Sequence, residues 1–134
     1  MFGVAFHDFG KIYELSYKDN FAYTDEGRLI GHLVIGTCVI DRKIRETEGF
    51  PKDLELQLKH LILSHHGKLE FGSPKIPQTV EAILVHYLDV MDSRLEAITA
   101  HIKKDASSNR WTPYLKAFDS SYFKGSLSKP PENS

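Results

Sequence analysis

The spacing of apolar residues predicts helices along most of the chain and almost no strands. Between Thr24 and Gly49 the apolar residues recur every three or four positions, which is the period of one helix face. This face consists of Leu29, Leu33, Gly36, Val39, Ile40 and Ile44. Threonine at position 24 is a favourable N-cap, and glycine at position 49 favours a helix end. We therefore predict one long helix over residues 24–49.

Two further helices are predicted downstream. The segment "PKDLELQLKHLILSHHG" is expected to enter a helix near Pro51 and to leave it at Gly67. Pro77 suits the first turn of a third helix that runs to about Lys104. The apolar positions of this helix are Val80, Leu84, Tyr87, Met91, Leu95, Ile98 and Ile102. We expect this face to be buried in the core.

The remaining segments are predicted to be short or irregular. The apolar run Val4–Phe6 is typical of the last turns of a helix that stops near Gly10, and residues 11–23 are expected to hold one helical turn. The segment "WTPYLKAFDSSYF" predicts a short aromatic helix or a packed coil. The residues "KGSLSKPPENS" are predicted to be a disordered tail. Together these elements predict an all-α fold.

Composition narrows the class of protein. A chain of 134 residues with 41% hydrophobic and 26% charged residues is typical of one soluble globular domain. The net charge of -1 provides no overall basic field that would attract nucleic acid. The single cysteine, Cys38, excludes an internal disulfide and fits a reducing compartment. No apolar run approaches the roughly 20 residues that span a bilayer. We therefore expect a cytoplasmic protein with no membrane partner.

Histidine is the unusual feature of the chain, which contains seven. His7 and Asp8 directly follow an apolar run, and His32 follows a glycine. His65 and His66 stand together at the predicted end of the second helix. Asp89 lies within the apolar run of the third helix, where a carboxylate is costly unless it is paired or bound to a cation.

Each of these features has an ordinary structural explanation when it is taken alone. The His7–Asp8 pair could end a helix, His32 could be a structural or exposed histidine, and the His65–His66 pair could cap a helix dipole. Four separate helices that each present an unmatched polar group are harder to explain by chance. The combination favours a metal site.

The same residues carry a resemblance to a known family. The segments "AFHDFGKIYELS", "YTDEGRLIGHLVIG", "LSHHG" and "LDVMD" resemble the HD-domain superfamily of metal-dependent phosphohydrolases, and most of all the HD domain of YhaM-type 3'-5' exoribonucleases. The resemblance extends to about Phe123. It implies an HD-domain helical bundle over residues 1–124 that lacks its first helices, followed by a disordered tail over residues 125–134.

The resemblance also implies metal ligands. They would be His7, Asp8, His32, His65 and Asp89, with Asp8 able to bridge two ions. Imidazole and carboxylate ligands suit Mn²⁺, Fe²⁺, Co²⁺, Ni²⁺ or Zn²⁺ better than Ca²⁺. We expect one or two divalent ions, with Mn²⁺ as the first choice and Mg²⁺ among the alternatives.

Further residues are assigned to catalysis and to the substrate. Asp8, Lys11 and His66 would be catalytic, with the Lys11 ammonium neutralising a phosphate oxygen in the transition state. His66 would face the substrate rather than the metal. Lys68, in the loop after the paired histidines, would join Lys11 and His66 in substrate binding, although exposed loop lysines are often only solubilising.

The activity implied is hydrolysis of RNA phosphodiester bonds from the 3' end. Two alternatives remain open: an HD-type phosphohydrolase of nucleotides or cyclic nucleotides, and a non-catalytic fragment that serves in binding or oligomerisation. HD domains also take a metal-ligating histidine from a helix upstream of the His–Asp pair, and YhaM-type proteins have an N-terminal OB-type domain. This chain begins six residues before His7, so we expect an upstream domain or a homo-oligomer to complete the site.

Overall fold

The computed structural model describes residues 8–16 and 22–125, which are mostly helical and confirm the predicted all-α class. The α-helices are α1 (Lys11–Glu14), α2 (Asp25–Leu29), α3 (His32–Arg45), α4 (Lys52–Ser64) and α5 (Val80–Lys104). Two short strands, β1 (Leu15–Ser16) and β2 (Ala22–Tyr23), pair antiparallel. Single 3-10 turns occupy Leu69–Phe71 and Lys116–Phe118.

The prediction of one helix over residues 24–49 is wrong, because two helices occupy this segment. The predicted N-cap is confirmed, since the Thr24 hydroxyl accepts a hydrogen bond from the Gly27 N–H at 2.9 Å. Gly31 then adopts a φ of 80°, which no α-helix contains, and α3 begins at the next residue. This break places His32 in the first turn of α3 instead of in the middle of one continuous helix.

The core of the first compact unit, which extends to Val90, is formed mainly by α3 and α4. Its buried apolar side chains are Leu33, Ile35, Ile44, Leu61, Ile62, Ala82 and Val85. Of the face predicted for the first long helix, Leu33, Gly36 and Ile44 are buried as expected. Leu29 is not, because it belongs to α2 and lies before the break at Gly31.

The predicted core face of α5 is wrong over most of its length, although Ile102 at its end is buried as expected. Val80, Leu84, Tyr87, Met91 and Leu95 are all more than half exposed, whereas Ala82 and Val85 are buried. Helix α5 begins at Val80 rather than at Pro77, and the Thr79 hydroxyl accepts a hydrogen bond from the Ala82 N–H. Apolar periodicity locates a face on a helix, but it does not determine whether another element covers that face.

The turn that carries Asp8 lies directly against the start of α3. A Cβ at Gly10 would be only 2.0 Å from the His32 carbonyl oxygen and 3.0 Å from the Gly36 nitrogen. Gly36 in turn faces Ile62 of α4. The absence of a side chain at Gly10 therefore lets the turn approach α3 closely and brings residues from three segments together.

The second compact unit begins at Met91 and includes the rest of α5. The side chains of Lys124 and Asp105 form a buried ion pair with an N–O distance of 3.0 Å. Hydrogen bonds from the Ser107 backbone N–H, and then from Lys124, lower the pKa of Asp105. The rings of Trp111 and Phe123 pack at 5.5 Å across an isolated β-bridge, so the predicted aromatic segment is a packed coil with one 3-10 turn.

Several predictions fall outside the described residues. They are the helix end at Val4–Phe6, the role of His7, and the disordered tail from residue 126 onward. In the part of the chain that is described, none of the helices combines the length and the apolar character needed to cross a membrane.

Replacing Gly10 by Ala should destabilise the protein, because the new methyl group meets backbone atoms that cannot rotate away. We expect a loss of about 2 kcal/mol or more in the free energy of unfolding, measured by urea denaturation followed by circular dichroism. Gly36→Ala is the matched control. Its Cβ has no neighbour closer than 3.5 Å, and alanine favours the helix by about 1 kcal/mol. Equal unfolding midpoints for Gly10→Ala and the unchanged protein would contradict the close approach.

Candidate metal centre

Three imidazole rings meet where α3 begins and α4 ends. His32 is the first residue of α3, and His65 and His66 directly follow α4. One nitrogen from each of the three rings lies within 4.8 Å of the others. His65 is fully buried, whereas His32 and His66 are half-buried. The group has the donor atoms of a metal site, and its half-buried members leave one side open to solvent.

Backbone carbonyls determine which nitrogen faces inward in two of these rings. The Nδ1–H of His65 donates a hydrogen bond to the Ile62 carbonyl at 2.8 Å, and the Nδ1–H of His66 donates to the Phe71 carbonyl at 3.1 Å. A carbonyl oxygen only accepts, so the proton of each neutral ring must be on Nδ1. The Nε2 lone pairs of both rings are therefore available to a cation, as in metal-binding histidines.

The Glu14 carboxylate orients the third imidazole ring, that of His32. His32 Nδ1 lies 3.2 Å from Oε2 of Glu14, which directs the opposite nitrogen, Nε2, toward the cluster. His32 Nε2 and His66 Nε2 are 3.2 Å apart. At this distance a proton on one nitrogen can be shared with the other as a hydrogen bond, and a cation can take the place of that proton. Two nitrogen ligands on one tetrahedral ion would be about 3.3–3.4 Å apart, so the observed spacing fits a shared cation.

Asp8 adds an oxygen donor to the three nitrogens. Its Oδ1 lies 3.6 Å from His65 Nε2 and 3.8 Å from His32 Nε2. Its other oxygen, Oδ2, accepts a hydrogen bond from the Lys11 ammonium at 2.7 Å. The two oxygens of one carboxylate thus face different partners.

Asp89 approaches the cluster from α5. It is half-buried, and its negative charge acts to raise the pKa of His66. Burial, followed by the neighbouring His65, nevertheless holds the pKa of His66 below its ordinary value. The lowered pKa favours the neutral form of His66, which is the form of imidazole that binds metals.

The His86 ring contacts the backbone just after the end of α4. Its Nδ1–H donates a hydrogen bond to the His65 carbonyl at 2.7 Å. Its ring also lies so close to Gly67 that a Cβ there would be 2.1 Å from the ring. With a φ of 80°, Gly67 turns the chain sharply immediately after the two histidines. His86 and Gly67 therefore hold the His65–His66 pair in place without contributing ligand atoms to the cluster.

Most of the residues singled out in the sequence lie in this region. The structure brings Asp8, His32 and His65 together, adds His66 to the same cluster, and places Asp89 and Lys11 at its edge. Lys68 lies apart from them, with its ammonium 5.6 Å from the centre of the Phe71 ring. The place of His7 is outside the described residues.

Two supporting residues were missed by the sequence analysis. Glu14 is part of an irregular, mixed segment and has no periodic pattern to mark it. His86 contacts a backbone carbonyl, and no sequence pattern specifies such a partner. Hydrogen bonds between residues distant in sequence become visible only once the chain is folded.

Comparison with known proteins finds curated bacterial relatives named 3'-5' exoribonuclease YhaM. The chain is 45% identical to the protein of Bacillus velezensis over 93 residues, 40% to that of Bacillus subtilis over 102 residues, and 37% to that of Shouchella clausii over 130 residues. These matches cover 69%, 76% and 96% of this chain, but only 29%, 32% and 40% of the relatives. The chain thus spans about a third of the length of its relatives. No protein-family profile and no solved structure matches it. The predicted likeness to YhaM-type exoribonucleases is confirmed over most of the chain.

Replacing Glu14 by Gln should weaken Mn²⁺ binding about 10- to 100-fold, the usual effect of losing a carboxylate that orients a ligating histidine. Isothermal titration with Mn²⁺ measures this directly and does not depend on any activity. The control is Glu46→Gln, because Glu46 is an exposed carboxylate that pairs with Lys43 away from the cluster. Unchanged Mn²⁺ affinity in Glu14→Gln, or equal losses in both variants, would contradict the orienting role of Glu14.

Proposed function

We propose that this chain supplies the metal-dependent catalytic part of a 3'-5' exoribonuclease, with an HD domain over residues 1–124. The observation that carries the proposal is the cluster of His32, His65 and His66, two of whose Nε2 atoms lie within 3.8 Å of the Asp8 carboxylate, in a chain whose relatives are named as 3'-5' exoribonucleases. Phosphoryl transfer is catalysed chiefly by positioning and by positive charge, and a cluster of this kind serves both needs.

The donor set fits a divalent transition metal or zinc. Three imidazole nitrogens and a carboxylate oxygen suit Mn²⁺, Fe²⁺, Co²⁺, Ni²⁺ and Zn²⁺, whereas Ca²⁺ takes oxygen ligands alone. We assign His32, His65, His66 and Asp8 as ligands, together with His7 and Asp89, for one or two ions. His66, expected from the sequence to face the substrate instead, joins this set because its Nε2 lies 3.2 Å from that of His32. A bound divalent metal provides positive charge to the phosphoryl oxygens and makes water a better nucleophile.

The reaction is hydrolysis of the 3'-terminal phosphodiester. Water attacks phosphorus, the bond to the 3'-oxygen of the penultimate nucleotide breaks, and a nucleoside 5'-monophosphate leaves while that oxygen takes up a proton. Asp8 and Lys11 hold opposite charges at the edge of the cluster. The Lys11 ammonium is nearly half exposed, so it can also reach a phosphate oxygen of a bound substrate. His66 lines the open side of the cluster and faces the substrate.

Completion of the site by an upstream domain or by a second copy of the chain in a homo-oligomer stays a prediction. So does the contribution of Lys68 to the path of the RNA backbone.

The proposal is tested with purified protein, Mn²⁺ and a single-stranded RNA labelled at its 5' end. We expect a ladder of products that shorten from the 3' end and release of nucleoside 5'-monophosphates. Asp8→Asn should lower the rate at least about a hundredfold, because losing a ligand exceeds the loss of a supporting contact. Asp53→Asn, an exposed residue at the start of α4, is the control. Hydrolysis of free or cyclic nucleotides with no shortening of RNA would favour the other phosphohydrolase class, and protein that binds Mn²⁺ but acts on neither would contradict the proposal.

Replacing Lys11 by Ala should lower turnover on RNA about 10- to 100-fold and leave Mn²⁺ affinity nearly unchanged, because its charge acts on the transition state. Rates from gel analysis and Mn²⁺ titration separate the two effects. Lys43→Ala is a well-matched control, since Lys43 forms an ion pair with the same i,i+3 spacing on the exposed surface. If Lys11→Ala loses metal as severely as Asp8→Asn, the lysine orients Asp8 instead of acting on phosphate.

A further inference from the structure

A cleft of about 230 Å³ opens beside the histidine cluster. His32 and His66 form its polar wall. The rest of its lining is largely apolar and includes Ile30, Val34, Phe71 and Pro74. Small-molecule sites are commonly about 300–1,000 Å³, so this cleft has room for one base rather than for a dinucleotide.

Phe71 is the aromatic member of this lining, and its backbone is firmly held. Its N–H donates a hydrogen bond to the Lys68 carbonyl at 3.0 Å, and its carbonyl accepts one from His66 Nδ1. Two residues on, Ser73 is 2% exposed and its hydroxyl donates to the Leu63 carbonyl at 2.9 Å. The loop is thus fastened to the end of α4 on both sides of Phe71.

The ring of Phe71 is nevertheless 62% exposed. A large apolar side chain that stays exposed to solvent adds little to the free energy of folding, because the hydrophobic effect stabilises only the surface that is buried. The hydrogen bond from His66 Nδ1 to the Phe71 carbonyl ties the backbone of this residue to the candidate metal centre. A planar, apolar partner that arrives with the substrate would cover the ring at the position where the cleft meets the cluster.

We propose that Phe71 is the stacking platform for the 3'-terminal base of the RNA substrate. This inference rests on the proposed function and names the part of the substrate that the cleft recognises. Stacking on an aromatic side chain is open to every base, because each base has a π face. A 3'-5' exonuclease that must accept successive bases needs recognition of this tolerant kind.

Lys68 fits the same arrangement. Its ammonium lies over the Phe71 ring, 5.6 Å from the centroid, and therefore occupies one face of that ring. A base can stack on the opposite face while the lysine keeps its positive charge close to the nucleotide backbone. A stacked base must first leave its pairing partner, so the platform also favours single-stranded 3' ends over blunt duplex ends.

The test compares two RNA substrates that differ only in the 3'-terminal nucleotide, which carries adenine in one and is abasic in the other. Phe71→Ala should lower kcat/KM on the adenine-ended RNA about 5- to 150-fold, the usual range for losing one base–aromatic stack. It should cause no further loss on the abasic RNA, for which the unchanged protein is already slow. Phe71→Trp should retain activity on the adenine-ended RNA.

Leu69→Ala is the matched control. Leu69 is a similarly exposed apolar residue of the same 3-10 turn, but it does not line the cleft. It should leave both rates unchanged. Equal losses on both RNAs in Phe71→Ala would show a structural role and overturn the platform, as would no loss on either.

Binding separates failure of the platform from failure of the proposed activity. A short RNA with 2-aminopurine at its 3' end is titrated with protein in the absence of added metal, so that its fluorescence reports stacking without hydrolysis. A fluorescence change that Phe71→Ala abolishes and Leu69→Ala retains supports the platform, even if the protein shortens no RNA. The same change in all three proteins, or none in the unchanged protein, overturns the platform whether or not RNA is hydrolysed.

Discussion

The orientation of three imidazole rings by acceptors on their outer nitrogens is the constraint on which the site depends. Ile62 and Phe71 provide carbonyls, and Glu14 provides a carboxylate. Each of these acceptors faces Nδ1, so the three Nε2 atoms are directed toward one small volume together with an oxygen of Asp8. A proton shared between His32 and His66, or a cation in its place, would offset the mutual repulsion of these atoms.

Glycines make this convergence sterically feasible. The turn at Gly10 reaches the His32 carbonyl only because no side chain intervenes. At the end of α4, Gly67 turns the chain over the His86 ring. The ligands come from three separate segments, and the glycines are the positions where those segments touch. Small changes at these residues would therefore move donor atoms by more than a metal–ligand bond tolerates.

The site also joins two kinds of chemistry in one loop. The His66 ring is held by the Phe71 carbonyl, and the Phe71 side chain lines the cleft beside that ring. The hydrogen bond from His66 to the Phe71 carbonyl would thus position both the ring that faces the metal and the loop residue that contacts a base. Since the loop is anchored by the buried Ser73 hydroxyl, both functions rest on backbone geometry that substitution of the aromatic side chain leaves intact.

The sequence by itself determined the helical class, the second helix, the Thr24 cap and the candidates Asp8, His32 and His65, because these depend on local periodicity, on capping chemistry and on unusual polar residues in apolar surroundings. It failed at Gly31, since a glycine is compatible with a helix until the tertiary structure imposes a positive φ. It also failed for most of α5, whose apolar stripe is exposed as far as Leu95 while Ala82 and Val85 are buried. Only the tertiary structure decided the ring orientations, the pairing of Lys11 with Asp8, and the roles of Glu14, His86 and Phe71. These depend on contacts between segments far apart in the chain, and no local pattern of residues encodes which distant atoms will meet.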